Sequence, residues 1–135
     1  MIEEFLKKAN SLFENKEYEE VLKLIKNYPE NNHPSILYYS ALTNDKLKKK
    51  EKALQILDQL IKNHPNFIEP FHLYANICED LKRYDESEKI LKEIIRKNPN
   101  DWKAIYNLTR IKLDRNGNKE EALKEYKKAL ELNPK

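Results

Sequence analysis

The side chains best suited to catalysis or metal binding in this 135-residue sequence are one cysteine and three histidines. His33 and His64 each precede a proline, and neither stands with His72 at the i, i+4 spacing that lets two helical histidines bind one zinc ion. Cys78 lies beside Ile77 on an apolar helix face, which favours a buried, inert thiol over a nucleophile. These residues therefore predict no catalytic site and no metal site.

Carboxylates and phosphate-binding loops give the same result. Glu79 and Asp80 are adjacent, but neighbours in sequence point to different faces of a helix, and no base or nucleophile accompanies them. The sequence contains a single glycine, so a glycine-rich loop around a phosphate is excluded. We predict that the protein is not an enzyme and needs no cofactor.

One basic cluster could contact nucleic acid. The stretch "KLKKKEK", residues 46–52, holds five lysines, yet no aromatic residue stands beside them to stack on bases. Over the whole chain 26 Lys and Arg nearly balance 23 Asp and Glu, leaving a formal charge of +3. A solvated turn is the favoured interpretation, and nucleic-acid binding through this turn is kept only as a weak alternative.

Composition also bears on the cellular compartment. No apolar run of 18 residues occurs, and the N-terminus has neither the basic start nor the apolar core of a secretory signal. A lone cysteine excludes an internal disulfide and fits a reducing compartment. We expect a soluble, cytoplasmic protein without a membrane partner.

The elements that must position any binding residues are helices in a repeat. Apolar residues recur at i, i+3, i+4 and i+7 in three similar segments, which alternate with segments rich in aromatic and small residues. Two independent sets of positions recur at a nearly constant spacing. A small residue of the first helix type recurs at intervals of 32, 34 and 34 residues, and one position of the second helix type recurs at intervals of 32, 34 and 35 residues. These landmarks are Ala9, Ala41, Ala75 and Thr109, then Val21, Ala53, Ser87 and Ala122.

This spacing predicts an all-α array of about eight helices spanning residues 1–135, with units at about 2–33, 34–67, 68–101 and 102–135. Prolines at Pro65, Pro99 and Pro134 should end three of the second helices. The early Pro29 should end the second helix of the first unit near Asn27. Asn116 and Gly117 accommodate one inserted residue at a turn in the fourth unit.

At these residues the chain resembles the tetratricopeptide repeat (TPR) family. The resemblance rests on "KALQILDQLIKNHP" (52–65), "FHLYANICEDLKRYDESEKILKEIIRKNP" (71–99), Ile105 with "YNLTR" (106–110), and "EALKEYKKALELNP" (121–134). It implies a right-handed superhelical solenoid of antiparallel helix pairs, with the first helix of each pair on the concave side. It also implies a scaffold for protein–protein interaction.

Function should then lie on first-helix positions that packing does not need. These positions are rich in Tyr, which offers a large contact area and a hydroxyl, and in Asn, which can both donate to and accept from a peptide backbone. The alternative is that some of these rings are shared between neighbouring helices. The predicted partner-binding groove comprises Asn10, Tyr38, Tyr39, Leu42, His72, Leu73, Asn76, Tyr106, Asn107 and Arg110, with Leu6 and Phe13 at its start.

The last helix gives a second hypothesis. Repeat arrays usually end in a polar-faced cap, yet this helix keeps Leu123, Leu130 and Leu132. We expect an exposed, partly apolar terminal face that pairs with another chain, such as a second copy, or with further helix. The leading interpretation remains an adaptor that binds a protein or peptide of unknown identity, and self-association is the first alternative.

Overall fold

The computed structural model of the chain describes residues 2–116 and 119–132, with the side chains of Asn116 and Leu132 left out of the description. The predicted turn at Gly117, the helix stop at Pro134 and the side chain of Leu132 lie outside the described residues. Within them the backbone forms helices and no strand, as the periodicity predicts. The helices are α1 Ile2–Glu14, α2 Tyr18–Lys26, α3 Pro34–Lys46, α4 Lys50–Asn63, α5 Glu69–Asp80, α6 Tyr84–Lys97, α7 Trp102–Asn116 and α8 Lys119–Leu132.

The chain divides into two compact units, residues 1–73 and 74–135, whose boundary falls inside α5. The first unit is built around Phe5 and Ala9 of α1, Val21 and Ile25 of α2, and Ile36 of α3, all buried. Ala9 and Ala41 are fully buried in the slot predicted to hold a small residue, which lets the backbones of neighbouring helices approach closely. The helix pairs of this unit are therefore held together by ordinary close packing.

In the second unit two of the predicted slots, one of each helix type, hold polar side chains that are buried and hydrogen-bonded. The Ser87 hydroxyl of α6 donates to the Ala75 carbonyl of α5 over 3.0 Å. The Thr109 hydroxyl donates to the Ile105 carbonyl over 2.8 Å. Because each hydroxyl donates to a backbone carbonyl, Ser and Thr stand where other repeats have alanine without leaving a buried donor unpaired.

The turns inside the first three repeats share one backbone conformation. Lys16, Lys48 and Lys82 have φ angles of 62°, 66° and 61°, in the left-handed region, at intervals of 32 and 34 residues. At each turn the amide of that lysine bonds three residues back, and the next amide bonds five residues back, as in Glu17 N–H to the Leu12 carbonyl at 2.9 Å. This is the Schellman pattern, which satisfies the last carbonyls of a helix.

Proline sets the boundaries of helices in the first unit. α2 ends at Lys26 with Asn27 as its cap, ahead of Pro29, as predicted. α3 begins at Pro34, and the His33 side chain before it accepts a hydrogen bond from the Ser35 amide at 3.2 Å. His33 is thus a helix cap, a role that its sequence position did not reveal.

Candidate peptide-binding surface and terminal cleft

Three predicted lining residues of the first unit come together between α1 and α3. The Tyr39 hydroxyl donates to Asn10 Oδ1 over 2.9 Å, a contact between residues 29 positions apart. The Phe13 and Tyr39 rings meet edge to face with centroids 6.2 Å apart. Asn10 is exposed and Tyr39 is half-buried. The Asn10–Tyr39 pair thus lies at the surface. The rings of Phe13 and Tyr39 pack beside it, and we call these two rings the aromatic floor of the site.

Tyr38 lies on the same helix but faces another partner. Its ring meets Phe67 edge to face at 5.6 Å, next to the start of α5. Burial, and then the nearby Glu69 carboxylate, raises the pKa of Tyr38 above its ordinary value. Burial also raises the pKa of Tyr39, with a further contribution from Glu14. Both phenols therefore stay protonated, and able to donate, throughout the neutral range.

The remaining lining residues between positions 42 and 76 differ in access. Leu42 and His72 are half-buried and Asn76 is exposed. Leu73 is only 9% exposed and belongs to the buried apolar set. Of these four residues, Asn76 is thus the most accessible to a ligand, and Leu73 has little surface to offer.

In the second unit two predicted residues are engaged with neighbours. The Arg110 guanidinium donates two hydrogen bonds to the Glu79 carboxylate. The distance from Arg110 Nη2 to Glu79 Oε1 is 2.8 Å. That hydrogen-bonded pairing raises the pKa of Arg110. The Tyr106 ring lies 5.6 Å from the Tyr126 ring of α8, while Asn107 is half-buried. Arg110 is therefore charge-compensated, and a ligand's carboxylate would compete with Glu79 for it.

A cleft of about 540 Å³ opens between α7 and α8. Its walls are mostly apolar, and Arg110 and Lys119 supply its charged groups. Leu123 and Leu130 are each 55% exposed on α8, which confirms the predicted apolar terminal face for these two residues. The cleft is lined by Tyr106, Thr109, Arg110, Leu113, Lys119, Ala122, Leu123 and Tyr126.

Two residues important to these surfaces escaped the sequence reasoning. Tyr126 belongs to the helical apolar pattern of α8, which gives no reason to separate it from buried residues, and it is 38% exposed in the cleft. Glu79 was weighed only as a catalytic acid and proves to be the partner of Arg110. An alignment of the repeats would have drawn attention to Glu79. Asn76 is the counterpart of Arg110 in the preceding repeat, and Glu79 lies one helical turn after Asn76.

The other candidate chemical groups are placed as follows. Cys78 is fully buried, as predicted. In the basic turn, Lys50 Nζ lies 2.6 Å from Asp45 Oδ1, so one of the five lysines is compensated. Across residues 2–116 and 119–132 no cluster of three or more His, Cys, Asp or Glu has a geometry that could hold a metal ion. None of the helices in these ranges combines the length and hydropathy needed to cross a bilayer.

Alternating helix pairs with small residues at the crossings define the class of the molecule, an all-α repeat protein. Two tetratricopeptide repeat family models match the sequence, one over residues 46–111 and the other over residues 103–135. The chain belongs to the tetratricopeptide repeat family. No curated protein matches the sequence significantly.

Solved structures of TPR proteins share the fold. MamA residues 41 to the end from Desulfovibrio magneticus RS-1 aligns with a TM-score of 0.79 at 21% identity, covering 98% of this chain and 75% of that chain. Another MamA crystal structure gives a TM-score of 0.83 at 17% identity over 97% of this chain and 77% of that chain. YrrB, described as a TPR protein with an unusual peptide-binding site, gives 0.77 at 18% identity over 96% and 68% of the two chains.

These similarities confirm the predicted fold class, an all-α solenoid of the TPR type. Identities of this size show the fold alone. The fold and the family together support a protein-interaction scaffold, which is the coarse function expected from the repeat pattern.

Proposed function

We propose that the chain is a non-enzymatic adaptor that binds an extended peptide or a helix of a protein partner on the first helices of its repeats. The observation that carries this proposal is the hydrogen bond from Tyr39 to Asn10 on the surface of the first unit. It joins two side chains from different repeats into one polar pair. We call Asn10, Phe13 and Tyr39 the α1–α3 site.

The polar pair has the donors and acceptors that a peptide backbone requires. The bond between the two side chains uses Asn10 Oδ1 and the Tyr39 hydrogen. It uses neither hydrogen of the Asn10 Nδ2 group and neither lone pair of the Tyr39 oxygen. Asn10 can therefore donate to a peptide carbonyl while Tyr39 accepts from a peptide N–H, which favours a main-chain segment as ligand.

The aromatic floor adds apolar contact. Phe13 is half-buried and meets both the Tyr39 ring and, at 5.3 Å, the Tyr18 ring. An apolar side chain of the ligand placed over this floor would gain burial without ordering the rings further, because they are already packed. We expect the bound segment to carry at least one aromatic or aliphatic residue beside the backbone contact.

The other predicted lining residues extend the proposal along the first helices. We propose that partner contacts also involve Tyr38 and Leu42 of α3, His72 and Asn76 of α5, and Tyr106, Asn107 and Arg110 of α7, while the buried Leu73 is left out. The Glu79–Arg110 pair makes an unpaired carboxylate a poor feature for the ligand in the second unit.

The proposal is tested with peptides selected from a phage-displayed library of random 12-residue sequences, panned on the wild-type chain. Dissociation constants of the selected peptides are then measured for wild type, Tyr39→Phe and Tyr39→Ala. Removing the hydroxyl alone should weaken binding roughly 2- to 10-fold, the effect of one hydrogen bond. Removing the ring as well should weaken it further.

Tyr28→Phe is the matched control. Tyr28 is also half-buried in the first unit and packs on a first-helix ring, that of Phe5 at 4.2 Å, but lies outside the predicted lining. Its hydroxyl should have no effect on peptide affinity. Equal affinity of Tyr39→Phe, Tyr39→Ala and wild type for every selected peptide would rule out the α1–α3 site.

A second candidate function, self-association, is favoured by the exposed leucines of α8. It is developed below with its own test. Nucleic-acid binding through residues 46–52 and a cytoplasmic location stay predictions of the sequence.

A further inference from the structure

The second unit carries a continuous exposed apolar surface. Leu123, Tyr126 and Leu130 follow one another at intervals of three and four residues, so they form a single stripe along α8. Tyr106 and Leu113 of α7 stand on the other side of the cleft. Among the described residues these five are the large hydrophobic side chains with the greatest exposure, at 38 to 55%. We call them the α7–α8 face.

The repeat itself shows that the central position of this stripe is covered in the other second helices. Tyr126 occupies the position of Ile25, Leu57 and Leu91 in the preceding second helices, at intervals of 32, 34 and 35 residues. All three counterparts are buried, whereas Tyr126 is 38% exposed. The position is therefore one at which the fold ordinarily packs another helix, and in α8 it is open.

We propose that the α7–α8 face binds the same face of a second copy of this chain, in a two-fold symmetric dimer. A second copy must offer apolar surface to match, and the described residues present their most exposed large hydrophobics only on this face. The face is consequently its own best partner. Such a contact is isologous and closes at two subunits.

Charges beside the stripe support an antiparallel pairing of α8 with its symmetry mate. Glu120 and Lys127 are exposed and lie three residues before and four residues after Leu123. They therefore flank the stripe on one side, as e-type positions flank the seam of a coiled coil. A two-fold axis beside residues 123–124 sets Glu120 of each copy opposite Lys127 of the other, which gives two oppositely charged pairs.

The contact should be weak. Five side chains, each about half exposed, supply less than the about 800 Å² per partner that a standard stable interface buries. We therefore expect a dimer that forms at tens to hundreds of micromolar and dissociates on dilution. This dimerisation goes beyond the proposed peptide binding and does not require it, although Tyr106 belongs to both proposed surfaces.

The test is sedimentation velocity of the full chain from 10 µM to 1 mM. The weight-average mass should rise from the 16.2 kDa monomer toward twice that value and no further. Leu123→Glu places a charge in the centre of the stripe and should keep the chain monomeric at every concentration. Its far-ultraviolet circular dichroism, matching wild type, shows that the fold is kept.

A charge exchange tests the geometry. Lys127→Glu and Glu120→Lys should each weaken dimerisation several-fold, and the double variant should restore it, because each copy then again sets opposite charges against the other. Lys124→Glu, an exposed change of equal charge on the same helix, is the matched control. It should have a smaller effect than Lys127→Glu.

Three results would overturn the proposal. If the wild-type chain stays monomeric at 1 mM, the face does not bind a second copy, and a helix of another protein becomes the expected partner. Growth beyond the dimer indicates head-to-tail stacking. A double variant that dimerises no better than the single variants excludes the antiparallel α8 pairing. Peptide affinity of Tyr39→Phe, measured separately, reports on the α1–α3 site, which shares no residue with the α7–α8 face.

Discussion

The three lysines with positive φ offer a stability test built into the repeat. An L-residue in the left-handed helical conformation costs about 1–2 kcal/mol, while glycine in the same place loses roughly 0.5–1 kcal/mol more chain entropy on folding. The folded chain incurs the first of these costs at Lys48 and at Lys82, whose φ angles are 66° and 61°. Replacing either with glycine should therefore raise the free energy of unfolding by about 0.5–1 kcal/mol.

A lysine in the middle of a helix provides the control. Lys89 is exposed like Lys48 but lies inside α6, whose backbone conformation any L-residue adopts readily. Lys89→Gly removes a similar side chain and gains no relief, so it should lower the free energy of unfolding by roughly 0.5–1 kcal/mol through chain entropy.

Urea denaturation followed by circular dichroism distinguishes the two variants. The midpoint for Lys48→Gly should move up and that for Lys89→Gly down, both with an unchanged slope. The double variant Lys48→Gly and Lys82→Gly should add the two gains, because the positions lie in different repeats. Equal midpoints for Lys48→Gly and Lys89→Gly would refute the assignment of strain to the left-handed turn.

Two other predictions concern ionisable groups. In a double-mutant cycle with Arg110→Met and Glu79→Gln, the partly exposed pair should couple by about 0.5–1 kcal/mol and less at high salt; strictly additive losses would show that the pair contributes nothing. Burial raises the pKa of Tyr38 and Tyr39 above the ordinary 10.0, so the unfolded chain ionises first and their contribution to stability, full below pH 10, should fall as the pH rises through the folded pKa values. Phenolate absorbance and denaturation midpoints between pH 9 and 12 check this, and a folded chain whose tyrosines all titrate at 10.0 would contradict it.

Sequence periodicity predicted the helices well because each landmark is fixed by packing. Ala9 and Ala41 stand where helices cross, and both are buried as expected. The end of α2 was equally accessible, since Pro29 cannot continue a helix and Asn27 caps it. Such features depend on residue size and backbone chemistry, which a sequence displays directly.

The candidate sites were less accessible because they depend on side-chain directions across different helices. The Tyr39 to Asn10 bond joins residues 29 positions apart, and no local pattern reveals it. The burial of Leu73 follows from neighbours that the helical pattern of α5 alone does not identify. Helical spacing alone places Tyr126 in the apolar stripe of α8, and only the structure reveals that this position is 38% exposed.

The central claim is that the α1–α3 site binds a partner's main chain, and nuclear magnetic resonance tests it most directly. A peptide selected on the wild-type chain is titrated into ¹⁵N-labelled protein while the side-chain amide of Asn10 is observed. The account predicts that the two Nδ2 hydrogens of Asn10 and the backbone amide of Tyr39 shift in saturable fashion with the dissociation constant of the peptide. Unmoved Asn10 and Tyr39 signals, with saturable shifts confined to α7 and α8, would contradict it.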